Sequence, residues 1–376
     1  MARAVKRNLL GMTRVELAAV AAAAGEPSYR GRQLFTWIYT KRVAAFSAMT
    51  DLGKEFRSRL EASAELRGVT TVARQSSLRD GTTKFLFGLA DGLQIESVLI
   101  PPTSAFRGRE AAGEEEQKRL TLCVSTQVGC ALDCAFCATG TMGFRRNLTA
   151  GEIVSQVLEV MQATGRRITN VVFMGMGEPL LNYEAVMTAA DILCAGAGIA
   201  ARRITISTAG RADRIRRMGD ERRRFKLAVS LHSALDETRS RLMPINRKFG
   251  LGVLMEAIEH YYRQTKLRLT YEFIFFDGVN DSRREVDRLI ALARRVPAKI
   301  NVIPFHSIAF TLPTGFAASL RLSPRTEQIV ERLRAADLTV MVRSSAGDDI
   351  DAACGQLAVH TKRRRRETAA RQAVDA

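Results

Sequence analysis

From Leu120 onward the sequence alternates short apolar runs with stretches of helical period, and this alternation restricts the fold more than any other feature. Strands are predicted over residues 120–125, 168–174, 203–207, 226–230, 269–276, 299–304 and 338–342. Helices are predicted between them, over 150–163, 183–194, 253–264, 282–293 and 324–336. Repeated βα units imply a parallel sheet, open or closed into a barrel. Six to seven units fall short of the eight of a full (β/α) barrel, so residues 120–343 are expected to form a partial barrel. In such folds the chemistry sits at the C-terminal ends of the strands.

The flanking segments read differently. Residues 1–68 are expected to be a helical accessory domain. Thr13 stands three residues before Glu16, the spacing of a capping box, and further helices are predicted over 31–39 and 54–66. Arg30, Arg32, Lys41 and Arg42 interleave with Phe35, Trp37 and Tyr39 there; this can mean RNA contact or a core stripe. Residues 69–119 form a β extension, with strands over 69–74, 84–89 and 93–100, turns at Asp80-Gly81 and Asp91-Gly92, and a polar loop containing Glu114, Glu115 and Glu116. Residues 344–376 are expected to be a mobile loop followed by a basic tail, with its charge concentrated at 362–366.

Charge narrows the partners. The 376 residues carry 57 Lys and Arg against 39 Asp and Glu, a net +18. A small anionic substrate does not call for so much positive charge, whereas the phosphate backbone of nucleic acid does. No apolar run reaches the roughly 18–20 residues of a membrane span. The Ala-rich run over 17–24 lacks the apolar bulk of a signal segment and is flanked by Glu16 and Glu26, so a cytoplasmic location is expected.

Four of the six cysteines lie within fifteen residues: Cys123, Cys130, Cys134 and Cys137. In a chain of this size that clustering points to metal or redox chemistry, not to a disulfide framework. Cys130-x3-Cys134-x2-Cys137 can turn three thiolates around one centre from the loop after the first barrel strand. Structural zinc closes its site with four ligands, and no histidine follows before His232. A [4Fe–4S] cluster on three cysteines leaves one iron open to S-adenosylmethionine (SAM). A zinc knuckle with a distant fourth ligand is the other reading of the spacing.

The residues around the triplet carry a resemblance. Cys123-Val-Ser-Thr-Gln-Val-Gly-Cys130-Ala-Leu-Asp-Cys134-Ala-Phe-Cys137-Ala-Thr-Gly140 resembles the radical SAM superfamily and, within it, the dual-specificity 23S rRNA and tRNA adenine-C2 methyltransferases of the RlmN type. The likeness extends through Gly143-Phe-Arg-Arg-Asn-Leu148, Phe173-Met-Gly-Met-Gly177-Glu178-Pro-Leu-Leu-Asn182, Ser230-Leu231-His232 and Gly347-Asp-Asp-Ile-Asp-Ala-Ala-Cys354-Gly-Gln-Leu357, and so covers nearly the whole chain.

The resemblance implies a radical SAM barrel holding a [4Fe–4S] cluster on Cys130, Cys134 and Cys137, with two SAM molecules used per turnover. It assigns Gly177 and Glu178 to the methionine end of SAM, and Ser207, Ser230, Leu231 and His232 to its ribose and adenine. It makes Cys354 the methyl carrier, Cys123 the thiol that resolves the adduct through a disulfide, and Glu96 the proton acceptor. From pattern alone, Glu96 is a solvent-facing strand residue, the 175–179 segment an ordinary βα turn, and Cys354 a small core residue like Cys194. The implied partners are 23S rRNA, tRNA and an electron donor such as flavodoxin with its reductase, with a monomer favoured. Two departures stand out. His306 occupies the place of a SAM-contacting Asn, and Ser344-Ser345-Ala346 replaces a segment that usually bears a basic residue. Two alternatives remain: a C8-specific rRNA methyltransferase of the antibiotic-resistance type, and a zinc-stabilised RNA-binding protein. The long N-terminal region and Ala131-Leu132 favour C2 over C8.

Overall fold

The computed structural model describes residues 6–102 and 119–359. The acidic run at 114–116 and the basic run at 362–366 lie outside them. Ten strands form one sheet: β1 (Thr70–Ser76), β2 (Thr83–Gly88), β3 (Gln94–Ile100), β4 (Thr121–Cys123), β5 (Asn170–Phe173), β6 (Ile204–Thr208), β7 (Lys226–Ser230), β8 (Leu269–Phe273), β9 (Ala298–Val302) and β10 (Val340–Val342). They lie side by side in sequence order. Strands β4 to β10 are all parallel, and β1 to β3 continue the sheet antiparallel from the edge of β4.

The edge of β4 that would close a barrel is therefore taken by β3. The partial barrel expected from the βα count is an open arc, and its first edge is extended by the β meander. Each parallel strand is short and nearly wholly apolar on its outer face, where helices cover it. Helix Ala150–Thr164 starts from a Thr149–Glu152 capping box and ends at Gly165 in the left-handed conformation. Two helices absent from the sequence reading complete the crossovers, Ala212–Asp220 and Asp236–Leu242. The first buries only Ala212, Ile215, Met218 and Gly219 among charged residues, too thin a stripe to stand out.

The N-terminal region begins with the capped helix Arg14–Ala23, whose Thr13–Glu16 box is formed as expected. The helix expected over 31–39 begins at Tyr29, and at Thr36–Thr40 it widens into a π turn. The extra residue lets the Tyr39 hydroxyl donate to Met12 O (2.9 Å) and accept from Gly11 N (2.8 Å). Phe35, Trp37, Ile38 and Tyr39 are buried, so the aromatic half of the basic–aromatic stretch is core; Arg32, Lys41 and Arg42 face outward, while Arg30 is half-buried against Glu26. The third helix stops at Ser63, because Ala64–Glu65 pairs in parallel with Arg7–Asn8. Gly11 and Gly151 touch backbone to backbone: a Cβ on Gly11 would lie 2.3 Å from Gly151 N, which seats this region directly on the first barrel helix. No helix of the described residues is long and apolar enough to cross a membrane.

Candidate active site

The three clustered cysteines sit on a loop held at both ends. Before it, Gln127–Gly129 pairs with Phe144–Asn147 as a small antiparallel ribbon. Gly129 has φ +73°, and a Cβ there would lie 1.7 Å from Gly143 O, so only glycine fits. Within the loop, Ala135 N donates to Leu242 O (2.9 Å) and Ala138 N to Gly355 O (2.7 Å). Phe136 stands edge-on to His232, with centroids 4.6 Å apart. Burial is the main cause that pushes all three thiols up, Cys130 to about 12; Cys137 adds to the rise of Cys130, and both add to that of Cys134.

Such thiols become thiolates only around a strongly positive centre. Among the described residues no three His, Cys, Asp or Glu side chains converge tightly enough for a single metal ion. An iron–sulfur cube is larger, and each cysteine binds a separate corner, so three thiols spaced along one loop suit it better than they suit zinc.

Beside this loop the C-terminal ends of β5 to β8 form a polar rim. Gly175 approaches β4 so closely that a Cβ would lie 2.7 Å from Val124 O, and Gly177 (φ +96°) would drive one into Gln127 at 2.5 Å. Glu178 is buried, and its carboxylate accepts from Leu180 N (3.0 Å) and Ala209 N (2.8 Å). Burial raises its pKa, against those hydrogen bonds. Among the described residues the hydroxyls of Ser207 and Ser230 take no hydrogen-bond partner, which leaves both for a ligand. His232, at φ +53°, accepts from Ile274 N at Nδ1 (3.1 Å), so its proton is on Nε2. Burial first, and the Arg239 charge second, hold this imidazole neutral, with a pKa of about 3.

Arg239 was not singled out in the sequence. It is wholly buried and donates to Leu231 O (3.0 Å), Ala209 O (2.7 Å), Ser230 O (3.1 Å) and Asn246 Oδ1 (2.8 Å). It thereby ties the ends of β6 and β7 together. Leu231 is fully buried, so only its backbone can reach a ligand.

The remaining candidates meet on the other side of the cysteine loop. Cys123 (end of β4), Cys354 and His306 line one pocket of about 40 Å³, together with Val98, Met174 and Arg343. That volume admits a methyl-sized group but not a nucleobase. Cys354 also feels the charge of Cys137, so it lies between the cluster loop and Cys123. All six cysteines are free thiols. Burial pushes the Cys123 thiol up to about 12, and burial lowers the pKa of His306.

Glu96 is not the solvent-facing residue that pattern alone indicates. It is buried on the same face of β3 as Val98, accepts from Ala358 N (3.0 Å) and lies 3.6 Å from Lys84 Nζ. Burial, opposed by Lys84, brings its pKa to about 7. The segment carrying Cys354 is docked: Gly347 N donates to Asp80 (2.8 Å), Ser77 to Asp349 (3.1 Å), Lys84 to Asp351 O (3.1 Å) and Thr139 to Leu357 O (2.6 Å). The basic residue missing at 344–346 has a neighbour in Arg343, whose guanidinium reaches into the pocket. Its place just past a barrel strand was the one sequence signal that could have found it.

With this geometry in hand, the comparisons with known proteins fall into line. Residues 7–66 match the model of the ribosomal RNA large subunit methyltransferase N-terminal domain, and residues 124–290 that of the radical SAM superfamily. The "Probable dual-specificity RNA methyltransferase RlmN" of Salinibacter ruber is 43% identical over 359 residues, covering 93% of this chain and 94% of the relative. The dual-specificity RNA methyltransferase RlmN of Syntrophobacter fumaroxidans is 43% identical over 340 residues, 89% and 92% of the two chains. A radical SAM methyltransferase from Sphaerobacter thermophilus superposes with a TM-score of 0.81 at 41% identity, covering 93% of this chain and 99% of its own.

Proposed function

Since the chain belongs to the dual-specificity RNA methyltransferase RlmN family, we propose that its target is C2 of an adenosine in the peptidyl transferase region of 23S rRNA and in tRNA anticodon loops. It is a radical SAM methyltransferase. When bound, the [4Fe–4S] cluster and two SAM molecules supply a methyl group and a hydrogen-abstracting species in each turnover. Cys130, Cys134 and Cys137 hold the cluster. Gly177 lets a ligand approach the backbone, and the Glu178 carboxylate receives an ammonium group. Ser207, Ser230, the Leu231 backbone and the Nε2–H of His232 frame the nucleoside end. His306 closes the thiol pocket.

Cys354 carries the methyl group to the adenine carbon: one hydrogen atom of the S-methyl would leave to the hydrogen-abstracting species, the carbon would bond to adenine C2, and the adduct's surplus electron would return to the oxidised cluster. Glu96, half-ionised near neutrality, accepts the proton that the adduct must lose. Cys123 then bonds to the Cys354 sulfur as the carbon–sulfur bond breaks, which frees the RNA and leaves a disulfide for an external reductant. An electron donor of the flavodoxin type serves the cluster. The 40 Å³ pocket requires the docked Cys354 segment to lift before a base can enter.

The observation that carries this reading is the meeting of Cys123 and Cys354 in one pocket beside the cysteine loop. Nucleoside mass spectrometry of 23S rRNA and tRNA from cells with and without the gene tests it. The expected result is loss of 2-methyladenosine from both. Loss of 8-methyladenosine in its place, or no change, overturns it.

A further inference from the structure

Arg343 directly follows β10, on the concave face of the sheet that also carries Cys123, Glu272 and Asn301. Among the described residues its Nη1 has three long contacts and no short one: 3.7 Å to Met174 Sδ, 3.9 Å to Cys354 Sγ and 3.9 Å to Glu272 Oε2. Glu272 is 2% exposed, and its Oε1 accepts from Asn301 (3.0 Å). Its Oε2 is buried and has no hydrogen-bond partner among the described residues. A carboxylate oxygen left bare inside a protein is costly, and a guanidinium 3.9 Å away could satisfy it by a small movement. The guanidinium stands off, within reach of a sulfur, so that Cys354 and Glu272 share one cation.

We propose that Arg343 is a positioning residue for the methyl-accepting sulfur of Cys354, shared between that sulfur and the Glu272 carboxylate. This rests on the methyl-carrier reading of Cys354. The first transfer needs an anionic sulfur. A sulfur lone pair of Cys354 forms the new S–CH3 bond, the carbon–sulfonium bond of SAM breaks, and its electron pair stays on the departing sulfur. The leaving group, S-adenosylhomocysteine, is a neutral thioether. The proton lost beforehand by the thiol goes to solvent, and no oxidant or reductant is consumed. Arg343 holds the thiolate in place for this step. Once methylated, the sulfur is uncharged and releases the guanidinium, which closes on Glu272 Oε2. The other charged and titratable groups facing the pair are Cys123 on β4, Cys137 on the cluster loop, His306, and Lys299 on β9.

The test is the pH profile of Cys354 alkylation by iodoacetamide, read on the Cys354 peptide by mass spectrometry. Cluster-loaded protein is used under anaerobic conditions without SAM or RNA. R343Q is expected to slow alkylation at neutral pH roughly tenfold. R343K retains most of the rate, since a cation remains. E272Q, which removes the competing anion, is expected to speed it. A merely structural role would give E272Q and R343Q the same sign. An R343Q profile that superimposes on wild type, or an E272Q variant that is unchanged or slower, overturns the proposal; E272Q decides it even if R343Q does not fold. Incubation with SAM separates the underlying reading: shifted alkylation profiles with no methyl increment on the Cys354 peptide would remove the carrier role and leave the positioning role standing.

Discussion

Two thiols that share a pocket stand in different surroundings. Burial keeps Cys123 protonated, with a pKa pushed up to about 12, while Cys354 sits beside the Arg343 guanidinium. A protonated thiol is a poor nucleophile, so in the proposed resolving role Cys123 would act only when the adduct sulfur is presented to it. Cys354→Ala should therefore give neither methylated protein nor methylated RNA. Cys123→Ala should still methylate Cys354 and then stall as a covalent protein–RNA adduct, seen as a nuclease-sensitive upshift on a denaturing gel. Normal turnover by Cys123→Ala would remove its resolving role. Glu96 gives a second prediction. Its carboxyl is raised to about 7, so below that pH it is protonated and cannot accept a proton. Single-turnover product release should rise with pH through about 7, and Glu96→Gln should lose this dependence and fall roughly 100-fold or more. An unchanged profile in Glu96→Gln would assign the proton to another group.

At the scale of elements, the parallel strands and most of their helices were legible because each repeats an apolar period long enough to read. The cysteine loop was legible from spacing. The pairing of Arg343 with Glu272 was not, because it depends on the register of β8, β9 and β10, which no local pattern encodes. Arg239 was hidden for the opposite reason: arginine on a charged helix reads as surface, yet it is fully buried against strand-end carbonyls. The π turn at Thr36–Thr40 has no sequence signal either; the Tyr39 hydrogen bonds to Gly11 and Met12 define it. The ribbon before the cysteine loop yields a prediction of its own. Gly129→Ala must push Gly143 O out of a 1.7 Å contact and adopt φ +73°. It should spread the three thiols and reduce iron bound per chain to below about half, with the thiol count unchanged. Full iron loading in that variant would mean that the ribbon does not shape the loop.

Over the whole molecule, the net charge of +18 sets how the substrate is met. Cations are spread over the N-terminal helices and the barrel helices, so RNA affinity should come largely from released counterions. Binding to a tRNA transcript is expected to weaken more than about tenfold between roughly 50 and 200 mM salt. An affinity flat over that range would point to base contacts as the main source of binding.

The docking of the Cys354 segment has one more outcome. Its anchors are Ser77, Asp80, Lys84 and Glu96, near the front of the chain, and Ala138 and Thr139 in its middle. Chains are made from the N-terminus, so every anchor exists long before the sulfur that they hold. On the proposed roles, a chain cut before Cys354 would keep every one of these anchors and lack the sulfur that they hold, so it should neither take up a methyl group from SAM nor modify RNA.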